Sequence, residues 1–564
     1  MPDIVDPSTL RALSVAGISV TAAIALSLLF LLTGRGQEVY FRIEQMLSRF
    51  AERRLLASCV LFLSVVGVRL LALPLLPVPI PSIHDEFSYL LMADTFAHGR
   101  LTNPTHPLWM SLETFHVNWH PTYSSMYPPA QGFILAIGQL LGHPWIGVLL
   151  SNAAMCVAIF WALQAWMPAR WAFLAASITA LKFGITSYWV NSYWGGAAAA
   201  IGGALVLGGL GRLRRRTRAR DAILLAFGAA ILANSRPYEG LFFCLPAALW
   251  FSFWLTGKIR SKEVLRSRLR NALLPVVCVL SVTATFIAYY NWRLTGDALL
   301  FPHTLNERAY EAAPLFLWQP FRPMLHYNNI AFQAFYNTWE RSHYQTDWKH
   351  AIYVSREKVD RFKVTYFWAG ALLILPAVPF VLRDRRLKLF WVTLAVVTAA
   401  IFAVIWSQAH YAAPLTCIFY GLLVQAIRHL RTMRVSSLHF GVALSRVIVL
   451  LLVLDTGTNL CYRVCDALAF SCGRKLDRAM LVEKLRHMEG KHLIIVRYAE
   501  FHNYDDEWVF NGADIDAAKV VWARELDAQQ NAKLFAYFKD RKIWLVTPDA
   551  DTIYLEPYTP PSVE

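Results

Sequence analysis

Long apolar runs, separated by short polar or basic stretches, fill the first 457 of 564 residues. An α-helix needs about 20 apolar residues to cross a bilayer. By that criterion spans are expected at about 10–33, 55–80, 145–166, 171–187, 195–211, 221–236, 237–256, 271–292, 365–382, 388–406, 411–427 and 438–457. Several reach only ~17 residues, which suits helices packed inside a bundle or a locally thinned bilayer. The run "YPPAQGFILAIGQLLG" (Tyr127 to Gly142) ends at a Gly-His-Pro break and is too short to span. It reads as an interfacial half-helix whose ends protein must cover. The first run is longer than the apolar part of a signal peptide, and Asp3 and Asp6 precede it, so it reads as a true span.

After residue 457 the period changes. "KLDRAMLVEKLRHMEG" and "ELDAQQNAKLFAYFK" have helical spacing, while "HLIIV", "AKVVWA" and "KIWLV" read as buried strands. The expected fold class is a multi-pass α-helical membrane protein of about 12 spans plus the half-helix, with a small C-terminal α/β domain. The division is 1–457 for the membrane part, with outer loops 81–144 and 293–364, and 458–564 for the domain outside the membrane. That domain has no Gly-rich phosphate loop, which argues against a nucleotide role. Its acidic, aromatic stretch "FHNYDDEWVFNGADID" lacks EF-hand spacing and reads as a solvated loop.

Composition agrees with a membrane protein: 56% hydrophobic, 16% charged, mean hydropathy +0.39. The net charge of +16 lies in short tracts between runs, Arg35 to Arg54, Arg212 to Arg220, Lys258 to Arg270, Arg383 to Lys388 and Arg428 to Arg434. With the half-helix counted as non-spanning, all of these fall on one side, the positive-inside arrangement. A nucleic-acid partner, which needs a basic face on a folded domain, is excluded. Cys59, Cys156, Cys244, Cys278 and Cys417 read as small core residues in apolar runs. Cys461, Cys465 and Cys472 follow the last run, and their pairing stays open.

The opposite side receives "PSIHDEFSYLLMADTF" (Pro81 to Phe96), which leaves a span through Pro74, Pro77, Pro79 and Pro81. Asp85, Tyr89 and Met92 share one helical face. An acid and an aromatic hydroxyl on one surface suit a sugar held at the lipid headgroups. Asp85 as a plain helix cap, with Glu86 favouring the dipole, is the structural alternative. Arg236 in "NSRPYEG" is a candidate for bidentate phosphate binding. His410 and Tyr411 in "SQAHYAAP" could donate to the same phosphate, and Lys182 could either join them or snorkel. Asn191 and Tyr193 in "VNSYWGG" are candidates for sugar hydroxyls, as are His84, Tyr89, Tyr127, Tyr238 and Glu239. Arg69, inside a span, calls for a buried partner and is expected in an ion pair. His116 and His120 have the i, i+4 spacing of a metal pair, but the surrounding prolines make a helix there doubtful.

Asp85-Glu86-x-x-Tyr89 after a membrane exit and before "YPPAQGF" resembles the first outer loop of the GT-C glycosyltransferases. The similar branches are the protein O-mannosyltransferases, the lipid-A aminoarabinose transferases and RgtA-to-D-like enzymes. "NSRPYEG" and "AHYAAP" are similar to segments of the last group. The resemblance covers residues up to about 430 and implies a GT-C-like fold. It also implies a polyprenyl-phosphate sugar donor, transfer outside with inversion, and Asp85 as the acid that activates the acceptor, with Glu86 beside it. The acceptor would be a glycan, a lipid or a protein, with membrane lipids around the site. No cofactor is expected, and a divalent metal stays as the minor alternative. The location implied is a bacterial inner membrane with a periplasmic active site. A transporter or flippase of lipid-linked glycan is the competing reading, but it calls for internal repeats and polar groups at midplane. No clear repeat is present.

Overall fold

The computed structural model describes residues 33–257, 261–344, 348–433, 440–472, 478–500, 502–550 and 553–559. The span expected at 10–33 falls outside them. The basic tract that follows is an amphipathic helix, α1 (Gly34–Glu52). Next come α2 (Arg54–Leu71), α3 (His84–Ala97), α4 (Pro129–Leu140), α5 (Pro144–Leu163), α6 (Ala169–Phe183), α7 (Ala197–Leu213), α8 (Ala219–Ser235) and α9 (Pro237–Thr256). The chain continues with α10 (Lys262–Thr295, through a π-helical turn at Leu269–Leu273), α11 (Pro302–Tyr310) and α12 (Trp348–Tyr366). The last helices of this part are α13 (Lys388–Ala403), α14 (Thr416–Leu430) and α15 (Phe440–Cys472).

Among the described residues seven helices are long and apolar enough to cross a membrane, or eight if α12 and the following Ala369–Arg383 segment, bent by 96°, form one span. The protein is an integral membrane protein. Helices occur at the other expected positions, but α6, α7 and α8 have only 15, 17 and 17 residues. At 1.5 Å per residue the longer two reach about 25 Å. They are covered by neighbours: a Cβ at Gly202 of α7 would lie 3.0 Å from the carbonyl of Gly228 in α8. Two glycines at this crossing let the backbones approach. The expected span 55–80 stops at Leu71, because the prolines beyond it cannot continue a helix. The run expected as a half-helix is a separate 12-residue helix, α4, turning into α5 at Gly142 (φ +117°).

Residues 458–472 extend α15 without a break, so the change of character after 457 is not a change of element. Cys461 is free and exposed, and nothing described bears on Cys465 or Cys472. Cys156 and Cys417 are buried as expected, whereas Cys59 and Cys278 lie on exposed helix faces.

A two-residue antiparallel pair, β1 (Val117–Asn118) and β2 (Ser124–Ser125), sits in the first outer loop. Beyond α16 (Arg478–His487), strands β3 (Lys491–Val496), β4 (Val520–Arg524), β5 (Arg541–Val546) and β6 (Glu556–Pro557) make a sheet of order β4-β3-β5-β6, parallel except for β6. Helix α17 (Ala528–Tyr537) joins β4 to β5. Both faces of β3 are buried, as a parallel strand requires. Ile494 and Val496 meet Leu481, Leu485 and Trp508. Leu493 and Ile495 meet Leu91, Leu112, Val117, Trp119 and Tyr123 of the first outer loop. The sheet therefore shares a core with the loop that carries the acid pair.

At the end of the bundle that holds the basic tracts, Glu44 accepts from Arg431 Nη1 and Nη2 (3.0 and 2.9 Å) and from Arg446 Nε (3.0 Å). Burial pushes its carboxyl up, but the two guanidinium groups outweigh burial and the net shift is down. A depressed carboxylate stabilises the fold above its unfolded value of about 4.3 and loses that contribution as pH falls through the folded value. Glu44→Gln should lower the melting temperature at pH 7, and the gap to the wild type should close below about pH 4. Thermal melts across that range in detergent check this.

Candidate active site

The proline-rich exit from α2 is held by Arg69. Its guanidinium donates to the carbonyls of Leu76 (2.8 Å) and Pro77 (3.1 Å) and to Asn191 Oδ1 (2.9 Å), and it lies 4.8 Å from the ring of Trp145. The expected ion pair is replaced by backbone carbonyls and an amide. Asn191 is consumed in this joint, since its Nδ2 donates to the carbonyls of Ile185 and Ser187. It is thus a positioning residue and does not face a sugar.

The kink ends where α3 begins, and there the two acids separate in role. Glu86 reaches back to the N–H groups of Ser82 (3.0 Å) and Ile83 (3.5 Å), and its other oxygen accepts from Tyr193 N (2.9 Å). Both oxygens are occupied and the residue is 4% exposed. Glu86 is the cap, which corrects its expected place beside Asp85 in the chemistry. Tyr193 goes with it, because its hydroxyl donates to Pro79 O (2.8 Å). Met92 packs against Gly132 of α4, so it serves helix packing and not a substrate surface.

Asp85, freed from capping, accepts a hydrogen bond from the Tyr127 hydroxyl at Oδ1 and has His84 Nε2 at 3.5 Å from Oδ2. Its side chain is 20% exposed. Tyr89 stacks on Tyr127 at 4.4 Å between ring centres. His116 (φ +59°) lies with its ring 4.4 Å from that of His84, whereas His120 stands against Trp109. The segment around His116 is not helical, so the His116–His120 pair does not form. Burial and His84 push His116 down to about 3, so it is neutral at physiological pH. Burial pushes the Asp85 carboxyl up, but the surrounding donors and cations bring it below the ordinary range. With His116 neutral, the lowering rests on His84, then on the Tyr127 hydroxyl and Arg236.

Arg236 ends α8 and sits over the ring of Tyr411, 3.9 Å from its centre. It is electrostatically coupled to Asp85, Tyr89, Glu239 and His303. No salt bridge engages it among the described residues. His410 meets Tyr188 (3.1 Å) and packs on Trp194, so "SYWVNSYWGG" and "SQAHYAAP" close one side of the site. Two expected residues stand elsewhere. Lys182 pairs with Asp455 of α15 at 3.5 Å, and the Tyr238 hydroxyl donates to Ala400 O of α13. Both contacts join helices.

Sequence reasoning missed α11. His303 Nδ1 lies 3.3 Å from Glu307 Oε1, and Glu311 is close to both. The signal was the i, i+4, i+8 spacing in "PHTLNERAYE", inside a segment expected as loop. Burial and Glu307 push Glu311 up to about 8. Among the described residues two groups could take a divalent cation, His84–Asp85–His116 and His303–Glu307–Glu311, each with ligand atoms within 4.8 Å of one another. The stretch expected as a solvated loop is also part of the site wall. Tyr504 O lies 3.4 Å from His84 Nδ1, Trp508 and Val509 are buried, and Asp94 of α3 accepts from Ala513 N (2.7 Å).

No protein-family profile and no curated protein matches the chain. Among solved structures, similarity is found to membrane transferases. ArnT from Cupriavidus metallidurans, bound to undecaprenyl phosphate, matches at 12% identity and TM-score 0.45, over 87% of this chain and 93% of its own. The Archaeoglobus fulgidus oligosaccharyltransferase, tethered with an acceptor peptide, matches at 12% identity and TM-score 0.44, over 86% and 69%.

Replacing Tyr127 by Phe removes the hydroxyl donor to Asp85. The carboxyl should titrate at higher pH than in the wild type, whereas Glu86→Gln should leave the Asp85 titration near its place and lower the melting temperature. Infrared difference spectra of the carboxyl band across pH 2–7, with Asp85→Asn as the blank, check both.

Proposed function

We propose that this protein is an inverting glycosyltransferase. It moves a sugar from a polyprenyl-phosphate donor to a glycan, lipid or protein acceptor at the outer face of a bacterial inner membrane. The observation that carries this reading is Asp85, an ionised and partly open carboxylate, within electrostatic reach of Arg236, a cation held in no salt bridge among the described residues. Both stand at the end of the bundle opposite the basic tracts: α7 runs from Gly196 beside the site to Arg212, and α8 returns to Arg236. The positive-inside rule then puts the site outside.

The chemistry needs one base and one anion binder. Asp85 takes the proton of the acceptor hydroxyl as that oxygen forms its bond to the anomeric carbon. The bond from that carbon to the phosphate oxygen breaks on the opposite face, and the electron pair leaves with the phosphate. Phosphate departs without a general acid, unlike the leaving group in glycoside hydrolysis. Arg236, held flat by Tyr411, stabilises the charge that grows on it. Tyr127 donates to Asp85 and stacks on Tyr89 beside it. The scheme assigns no step to a metal ion. Neither the site nor the comparisons favour a transporter of lipid-linked glycan.

Purified protein in lipid, given radiolabelled polyprenyl-phosphate monosaccharides, tests this. Asp85→Asn should cut transfer by about 10²–10⁴-fold with donor binding retained. Arg236→Ala should weaken donor binding by roughly 10–100-fold, the worth of a charge-assisted hydrogen bond. Equal transfer by wild type and Asp85→Asn would return Asp85 to a structural role. Wild type that transfers nothing, in vesicles where lipid-linked glycan crosses, would make the protein a transporter.

A further inference from the structure

A second cleft, of about 430 Å³, lies apart from Asp85, at the carboxyl ends of β3 and β4. Its size is within the range of small-ligand pockets, about 300–1,000 Å³. In open parallel sheets ligands bind outside the carboxyl ends of the strands, where backbone groups and loop side chains converge. The ends of β3 and β4 supply Arg497, Tyr498, Arg524 and Glu525, α17 supplies Gln530, and the membrane part supplies Asn328 and Asn329. The cleft is therefore built only when the two parts of the chain meet.

Its charges cancel. Arg497 Nη2 donates to Glu525 Oε1 at 2.7 Å, and Arg524 Nη2 to Glu507 Oε2 at 2.8 Å. Asp527, the remaining lining acid, caps α17 by accepting from Gln530 N. What is left for a ligand is the side-chain amides of Asn328 and Gln530 and the second oxygen of Asp527, because the Tyr498 hydroxyl is taken by Glu507 and Trp508 N and the Asn329 amide by Glu113 and Phe332 N; one buried donor lies behind them. Arg524 is 2% exposed, its Nε and Nη2 are taken, and its Nη1 has no partner among the described residues. An unpaired buried donor costs about 1–3 kcal/mol. A ligand hydroxyl near it would relieve that cost. An anion would have to break an existing ion pair to find a cation, whereas a hydroxyl can donate to Asp527 as it stands. The chemistry that fits is neutral and rich in hydroxyls.

The cleft is also tied to the Asp85 site. Arg524 Nε donates to Glu113 O (2.6 Å), and Asn329 Nδ2 donates to Glu113 Oε2 (3.2 Å). Two residues on, the ring of Phe115 lies 5.1 Å from that of His84. We propose that this cleft is a carbohydrate-binding site that holds an uncharged segment of the acceptor glycan while its terminal hydroxyl meets Asp85. The binding itself stands on the cleft; the word acceptor rests on the transferase reading.

The test uses the full chain in nanodiscs and neutral trisaccharides of glucose, mannose, galactose and N-acetylglucosamine as probes, read by saturation-transfer NMR and titration. At least one should bind, and Gln530→Ala with Asn328→Ala should weaken it 10-fold or more. Asp85→Asn should leave that binding unchanged. Thermal melts show that the cleft variants fold. No binding of any neutral trisaccharide, or equal binding by wild type and cleft variants, overturns the proposal, as does preference for an anionic trisaccharide. Wild type that transfers sugar, with an acceptor KM untouched by the cleft variants, removes the acceptor role and leaves the transferase reading intact. Trisaccharide binding without transfer from any donor would do the reverse.

Discussion

The fold of the site depends on one buried carboxylate. Glu86 collects three backbone N–H groups, two from the turn before α3 and one from Tyr193 more than 100 residues away. Each buried donor left unmade would cost about 1–3 kcal/mol. That joint fixes where α3 starts and which way its first turn faces. Burial lifts the Glu86 carboxyl, and the N–H groups only partly offset it. The residue is strained electrostatically so that its neighbour can be free. Because Glu86 does the capping, Asp85 has its oxygens turned toward Tyr127 and His84.

The same economy runs through the surrounding loops. Arg69 binds the proline kink to Asn191, Asp94 binds α3 to α4 and to Ala513, and Tyr123 donates to the carbonyl of Asn511. Charged and polar groups that might have faced a substrate are spent as joints between distant segments. Among the described residues, Asp85, Arg236, Glu239 and the α11 trio are not spent as joints between distant helices. A reaction that needs one base and one anion binder asks for no more.

The C-terminal sheet is as much a part of the site as the helices. Its buried face is completed by the first outer loop, and its loop before β4 supports His84 through Tyr504. Helix α15 continues through the point where composition changes, so the membrane part and the sheet are joined by a helix. A sheet of this size with one face left open would expose Leu493, Ile495 and Val521 to water, each worth about 1.5–3 kcal/mol when buried.

Sequence by itself determined the membrane class, the positions of most helices and the side on which the basic tracts gather. Those follow from local facts: run length, proline, and charge at span ends. It also singled out Asp85 and Arg236, because acids and arginines at membrane exits are rare and costly. It could not divide the work between Asp85 and Glu86, since capping depends on a partner at Tyr193. Nor could it see that Lys182 and Tyr238 are spent on helix contacts, or that His116 meets His84 and not His120. α11 was written in its i, i+4, i+8 spacing, but its value lay in being beside Arg236. Tertiary structure alone decided those points, because which polar group is free depends on which distant backbone has claimed the others.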